Sequence, residues 1–332
     1  MTAVPAFARP RVLVSKCLEF AACRWNGATI SDAFVKRLAG HVTCCAACPE
    51  VEIGLGCPRD PIRVVQRDDG RRLVQPATGR DVSGEMRAYA ARTLDALGPL
   101  DGFLLKSRSP SCGIKDVKIY GGPEGKQPQA RGEGFFGGAV LKRFGHLAVE
   151  DEGRLNNFRL REHFLTKLFT LAAFRQVADA GRMRDLVAFH ARNKGLLMGY
   201  NQTRLRRLGR IVANHEQKPP EEVLAAYGED LAAALARPPR FASMINVLMH
   251  ALGHVSDRLA AEEKTFFLDR LEDYRAGRVP LSVVTTLVRA WAVRFDQPYL
   301  MEQTYLRPYP EALVEITDSG KGRGGWTAQQ QG

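Results

Sequence analysis

Three short apolar stretches of this chain each give way, within a few residues, to a cysteine, and that recurrence limits the fold more than any other feature. Arg11 to Ser15 (RVLVS) alternates toward a strand and runs straight into Lys16-Cys17. His41-Val42-Thr43-Cys44-Cys45-Ala46-Ala47 is small and β-branched, reads as a fully buried parallel strand, and ends at Cys48-Pro49-Glu50. Gly102-Phe103-Leu104-Leu105 opens onto the polar loop Lys106-Ser107-Arg108-Ser109-Pro110-Ser111-Cys112-Gly113. Helices are expected between them. Ser31 caps one over 32–38 that Gly40 closes, and 81–97 carries Met86, Tyr89, Ala90, Thr93, Leu94 and Leu97 on one face before Gly98-Pro99. Strands that alternate with helices run parallel, and their carboxyl ends share the edge where open α/β sheets bind ligands. Cys17, Cys48 and Cys112 can therefore meet. Cys44 and Cys45, inside the strand pattern, are expected in the core, where a free thiol behaves as a small hydrophobe. Cys23 and Cys57 lie in loops near the same edge, and spacing does not exclude them.

Beyond Cys112 the pattern changes. The Gly- and Pro-rich stretch 113–138 reads as loops with little regular structure, followed by a short helix over 139–144 and a connection over 149–157. Helical periodicity then takes over, with helices expected at 158–180, 183–198, 203–215, 219–236, 241–274 and 281–295. The expected fold is α/β, an N-terminal Rossmann-like parallel sheet with its site at the strand carboxyl ends, followed by an all-α C-terminal domain. The domains are expected over 1–150 and 151–318, with a Gly- and Gln-rich flexible tail over 319–332. A chain of 332 residues is long for one core.

The formal charge is +12. Residues 1–150 carry 22 Lys and Arg against 15 Asp and Glu, and the remainder carries 26 against 21, so the excess is spread along the chain. Such a balance favours an extended polyanion that touches both halves, nucleic acid above all. No apolar run reaches the length of about 18 residues that a membrane helix needs. The first ten residues lack the pattern of a secretory signal, so a cytoplasmic protein is expected. Seven cysteines, an odd number and all within the first 112 residues, argue against a disulfide framework.

Three chemistries stay open for the thiols. Structural zinc wants four ligands in close pairs, and only Cys45-x2-Cys48 offers one pair. A nucleophilic cysteine needs a base, and His41 is the sole histidine in the first hundred residues. A [4Fe–4S] cluster held by three cysteines from separate loops leaves one iron for substrate. Spacing alone ranks cluster over zinc over thiol catalysis.

Ser15-Lys16-Cys17-Leu18 followed by Cys23-Arg24-Trp25-Asn26-Gly27, then Cys48-Pro49-Glu50 with Gly54-Leu55 and Pro58-Arg59, then Lys106 through Gly113, resembles the thiouracil desulfidase family over about residues 10–150. Phe189-His190-Ala191-Arg192-Asn193-Lys194 and Arg207-Leu208-Gly209-Arg210 resemble the helical domain fused to this module in bacterial desulfidases acting on 4-thiouridine in transfer RNA. The resemblance implies a [4Fe–4S] cluster bound by Cys17, Cys48 and Cys112, with thiocarbonyl sulfur on the fourth iron. It implies substrate handling by Glu50 and Ser109, with Ser107 or Ser111 as alternatives, and RNA contact by His190, Arg192 and Lys194. The implied reaction turns 4-thiouridine in tRNA into uridine and hydrogen sulfide without net redox change. A free thiouracil or thiouridine nucleotide is the alternative substrate. A nucleic-acid-binding protein with structural zinc or a redox-sensing cluster is the alternative of another class. This chain departs from the family pattern where Glu19 follows Leu18 in place of the usual Gly, and where Trp25 replaces Tyr.

Overall fold

The computed structural model describes residues 7–314. The described residues form two compact units, one of Arg9–Ala172 with 312–314, the other of Ala173–Glu311 with 7–8.

In the first unit, β1 (Arg11–Ser15), β2 (Thr43–Ala47), β6 (Gly102–Leu105) and β9 (Ala148–Asp151) make an all-parallel sheet in the order β2-β1-β6-β9. The chain steps from β1 outward to β2 on one side, then returns to place β6 on the other side of β1. The crevice beyond the carboxyl ends of β1 and β6 is therefore the topological switch point. The segment 149–157, expected as a connection, supplies the fourth strand and a 3-10 turn (Arg154–Asn156). The alternation of side chains across β6 sorts the layers. Phe103 and Leu105 join one core with Leu13, with Met86, Tyr89, Ala90 and Leu94 of α3 (Ser83–Ala96), and with Phe136 and Val140 of α4 (Phe135–Phe144). Gly102 and Leu104 face the opposite way. A Cβ on Gly102 would lie 2.5 Å from the Ala148 carbonyl oxygen and 2.9 Å from Leu168 of α5 (Phe158–Ala180), so the small residue lets that helix press on the sheet.

Three readings of the sequence are corrected here. The strand over 43–47 is an edge strand, not a fully buried one, so Cys45 is exposed and Cys44 only half-buried. The stretch 113–138 is not mainly loop. It holds β7 (Val117–Tyr120) and β8 (Pro128–Gly132), which join β3 (Arg63–Arg67), β4 (Gly70–Gln75) and β5 (Arg80–Asp81) in a second sheet ordered β5-β4-β3-β7-β8. Val64, Leu73, Val117 and Ile119 of that sheet share the core with α3. The first helix, α1 (Ala33–Ala39), is capped by the Asp32 side chain, which accepts from the Val35 N–H, and not by Ser31.

The helices of the second unit follow the sequence periodicity. They are α6 (Met183–Tyr200), α7 (Gln202–Ala213), α8 (Pro220–Ala234), α9 (Phe241–Gly253), α10 (Ala261–Arg275), α11 (Leu281–Arg294) and the short α12 (Pro298–Glu302). The single helix expected over 241–274 is two, separated by a 3-10 turn at Ser256–Arg258, because apolar periodicity continues on both sides of the break. Met244, Leu248, Phe267, Leu271, Val288 and Trp291 lie in its core. The division between the units falls inside α5, whereas the sequence placed a boundary at 150. The tail expected over 319–332 lies outside the described residues.

Candidate active site

The site is built from the loops that leave β1, β2 and β6. Each thiol sits on the loop that leaves its strand. Cys17 comes two residues after β1, Cys48 is the residue that precedes the short helix α2 (Pro49–Glu52), and Cys112 closes the loop after β6. Cys48 and Cys112 are buried and Cys17 is half-buried. The thiols sense one another. Burial, then the neighbouring Cys48, pushes Cys17 up to about 11, while Lys106 and Arg24 pull it down. Cys112 is pushed up by burial foremost, with Glu50, Cys17 and Cys48 adding to the rise and the Ser15 hydroxyl opposing it. Cys23 joins the group. It is buried, and burial followed by the neighbouring Cys48 raises it to about 12. The Cys48 Sγ also points at the Cys23 carbonyl oxygen, 3.7 Å away. Cys57 is exposed, its Sγ 3.1 Å from the Ala22 carbonyl oxygen.

Beside Cys112 lies a carboxylate with a divided set of partners. Arg59 donates from Nε (3.0 Å) and Nη2 (2.5 Å) to one oxygen of Glu50, Oε2. Its Nη1 reaches the carbonyl oxygens of Cys23 (3.0 Å) and Gly56 (2.9 Å). The other oxygen, Glu50 Oε1, accepts from Ser111 Oγ at 2.6 Å and from Ser109 Oγ at 3.4 Å. The two hydroxyls are 2.9 Å apart, and Ser109 Oγ accepts from the backbone N–H of Cys112 (3.1 Å) and of Ser111 (3.3 Å). The buried Ser111 is thus the nearer partner of Glu50, and the half-buried Ser109 is the outer hydroxyl of the chain. Ser107 stands apart, its hydroxyl and N–H both donated to Glu152 (2.6 and 2.7 Å). Lys106 is ion-paired to the same carboxylate. Buried Glu152 thereby fixes the start of the loop, and its charge bears on Cys17.

The end of that loop is fixed by α4. The first N–H groups of a helix have no partner inside it. Here Phe135 N donates to the Pro110 carbonyl oxygen (3.1 Å), and Phe136 N and Gly137 N both donate to that of Ser111 (2.9 Å each). Gly134 N donates to Gly113 O at 2.8 Å. The approach needs glycines. A Cβ on Gly134 would stand 2.6 Å from Ser111 O, and one on Gly137 would stand 2.5 Å from Cys112 O.

The loop after Cys17 explains a departure noted in the sequence. Glu19 stands where the family pattern has Gly, and its φ of 70° is the left-handed conformation that glycine adopts without steric cost. Its carboxylate accepts the backbone N–H of Asp32, a contact glycine could not make and one that offsets the strain.

His190, Arg192 and Lys194 all lie on α6. Arg192 and Lys194 are exposed. The His190 ring is half-buried, with Nδ1 3.1 Å from the Tyr227 hydroxyl, and burial followed by Lys194 lowers its pKa. Sequence reasoning assigned no role to Arg59, Glu152 or the glycines of α4. Arg59 was visible in Pro58-Arg59, but nothing in the sequence joins it to Glu50; Gly134 and Gly137 carried only a loop-like composition.

A parallel α/β sheet whose switch-point loops bring Cys17, Cys48 and Cys112 beside a carboxylate and two hydroxyls defines the class, an α/β module with a polar, thiol-lined site at its strand carboxyl ends. A family model described as 2-thiouracil desulfurase matches residues 12–152, and one described as a protein of unknown function (DUF1722) matches 194–310. The uncharacterized protein YbbK of Bacillus subtilis (strain 168) is 30% identical over 154 residues, 44% of this chain and 98% of that protein. A solved structure, the [4Fe-4S]-dependent thiouracil desulfidase TudS, is 31% identical over 44% of this chain and 93% of that one, with a TM-score of 0.35. The chain belongs to the 2-thiouracil desulfurase family, in a form with a C-terminal DUF1722 region. No helix of the described residues is long and apolar enough to cross a membrane.

Proposed function

We propose that this chain is a cytoplasmic [4Fe–4S]-dependent desulfidase that converts 4-thiouridine in transfer RNA to uridine and hydrogen sulfide. The observation that carries the reading is the Glu50 carboxylate, anchored through one oxygen and offered to two hydroxyls through the other, beside Cys112.

The donor set fits the cluster. Cys17, Cys48 and Cys112 would hold it, from three separate loops. The three thiols come from the ends of loops that leave adjacent parallel strands, and each acts on another's protonation, so they are near enough to share one group. Thiols held protonated by burial and by one another become thiolates against a positive group. When bound, the cluster supplies a Lewis-acidic iron that draws electron density from the thiocarbonyl.

The chain's own residues account for the protons. Water adds its oxygen to C4, the C4–S bond breaks, and sulfur leaves as hydrogen sulfide; carbon keeps its oxidation state. Glu50 Oε2 is occupied by Arg59, so proton traffic uses Oε1. Ser109, the outer hydroxyl, passes a proton to Ser111, which bonds Oε1 directly. Glu50 takes the proton of the attacking water by this route and returns one to the departing sulfur, ordinary general acid–base work.

Transfer RNA is favoured over a free base by the spread of positive charge and by the helical unit. Arg192 and Lys194 on α6, with Arg206 and Arg210 on α7, present exposed cations suited to phosphate contacts. His190 contributes less directly, since its ring turns to Tyr227. The target base must leave its stack to be reached. The test is anaerobic incubation of the cluster-loaded chain with thiolated tRNA and, in parallel, with 4-thiouracil. Loss of 4-thiouridine with one hydrogen sulfide per base is expected. Turnover of the free base alone would refute the tRNA substrate, and turnover of neither would refute the enzyme reading.

A further inference from the structure

We infer that Arg59 is a positioning residue for the reaction, acting through Glu50 by reserving one carboxylate oxygen for anchorage and leaving the other for the proton. The inference rests on the desulfidase reading above.

Arg59 spends its donors in two directions. Nε and Nη2 converge on Glu50 Oε2, and Nη1 is committed to the carbonyl oxygens of Cys23 and Gly56. Its own backbone N–H donates to the Trp25 carbonyl oxygen at 2.7 Å. The guanidinium is therefore fixed by two backbone carbonyls, with the Arg59 backbone itself held by a third, and is almost wholly buried, its side chain 4% exposed against 12% for Glu50. A planar fork held in this way leaves the carboxylate little freedom to rotate. Glu50 sits on α2, a helix of only four residues, and its side chain is held by Arg59 on one oxygen and by Ser111 and Ser109 on the other. The donors on its two oxygens differ in kind. Arginine N–H groups cannot give up a proton at neutral pH, whereas serine hydroxyls can pass one along. Oε2 is thus chemically idle and Oε1 is connected to the relay. Without Arg59 the carboxylate can turn either oxygen to Ser111, or neither, and the relay loses its fixed end.

Lysine cannot replace this arrangement fully. A point ammonium can hold one oxygen of Glu50 but cannot place two donors on it while bridging Cys23 and Gly56.

The experiment is a double-mutant cycle on the full chain, loaded anaerobically, with thiolated tRNA in single-turnover and steady-state assays. Iron and sulfide content and substrate Kd are measured for each variant. Arg59→Ala is expected to keep its iron, bind substrate with unchanged Kd and lower kcat about 100-fold, with KM little changed. Arg59→Lys should recover part of that loss. In a Glu50→Ala background, Arg59→Ala should cost no more than about twofold further, the non-additivity of two residues that act as one unit. An additive cost in that background would overturn the inference, and so would loss of iron in Arg59→Ala, which would make Arg59 a structural clamp on the Cys23 loop. Wild-type kcat in Arg59→Ala with a defective Glu50→Ala would overturn it alone and leave the desulfidase reading intact. Full activity in Glu50→Ala would overturn the inference together with the proton role of Glu50, and turnover of thiolated tRNA by no variant, wild type included, would overturn the desulfidase reading.

Discussion

Gly137→Ala sets two physical effects against each other. Gly137 lies inside α4, where alanine is ordinarily preferred to glycine by about 0.5–1 kcal/mol. Contact geometry opposes the change. The new Cβ would stand 2.5 Å from the Cys112 carbonyl oxygen, 2.8 Å from the Gly113 carbonyl carbon and closer still to the Gly113 oxygen. All are backbone atoms that cannot swing aside, so the helix end must lift. The bonds that Phe135, Phe136 and Gly137 donate to the loop would then be lost. Three such bonds at about 1 kcal/mol each outweigh the propensity gain, leaving a net loss of about 2 kcal/mol. In a unit of this size that lowers Tm by about 4–8 °C. Because the lifted loop carries Cys112 and Ser109, iron content should fall as well. Gly138→Ala is the control. Its Cβ meets only the Glu133 Cβ, at 3.4 Å, so it should be neutral or slightly stabilising. Thermal melts by circular dichroism, with iron and sulfide per chain, check both. A Gly137→Ala protein that melts at or above wild type with full iron would refute the reasoning.

Ser111→Ala should keep its iron and lower kcat at least about tenfold, because Glu50 Oε1 is left with only the 3.4 Å bond from Ser109. Ser109→Ala should also melt lower, since the Ser111 and Cys112 N–H groups lose their acceptor. Cys112→Ala should lose the iron, whereas Cys44→Ala and Cys45→Ala should keep iron and activity; metal analysis separates them. Burial raises Asp151 to about 6 from an ordinary 3.8, so the folded state holds a proton that the unfolded state has released between those values. The charged form therefore costs stability in full above about pH 6, and the cost fades as pH falls toward 4. Asp151→Asn, whose amide oxygen can still accept the Arg154 N–H, should gain up to about 2–3 kcal/mol at pH 7 and little at pH 4, measured by urea unfolding at both.

The parts of this fold legible in the sequence were those governed by local pattern. β1 and β6 begin and end where the apolar runs do, and α5 covers the predicted 158–180. The three thiols at strand ends followed from alternation alone. What escaped was set by partners distant in sequence. β2 reads as buried because composition does not show which strand lies at an edge. The second sheet was missed although Asp69-Gly70 is a turn signal, because Arg63–Arg67 and Pro128–Gly132 are too polar to stand out as strands. The choice of Ser111 over Ser109 as the nearer hydroxyl depends on a fold of the loop that only the α4 contacts fix. Glu152 was read as part of a connection, and its role appears only when β9 lies beside β6.

The order β2-β1-β6 also ranks events in time. The loops that bear Cys48, Cys17 and Cys112 are neighbours only once those strands have paired, and Cys112 is brought in by a strand that follows more than half of the unit's residues. The unfolded chain offers scattered thiols in place of a preformed trio, so any group that needs all three selects for the assembled sheet and stabilises it by mass action. Occupancy of the site thereby doubles as a record of whether the module has folded. A chain translated only as far as Cys48, the residue after β2, holds five of the seven cysteines named above, Cys17, Cys23, Cys44, Cys45 and Cys48, yet lacks the residue that completes the set.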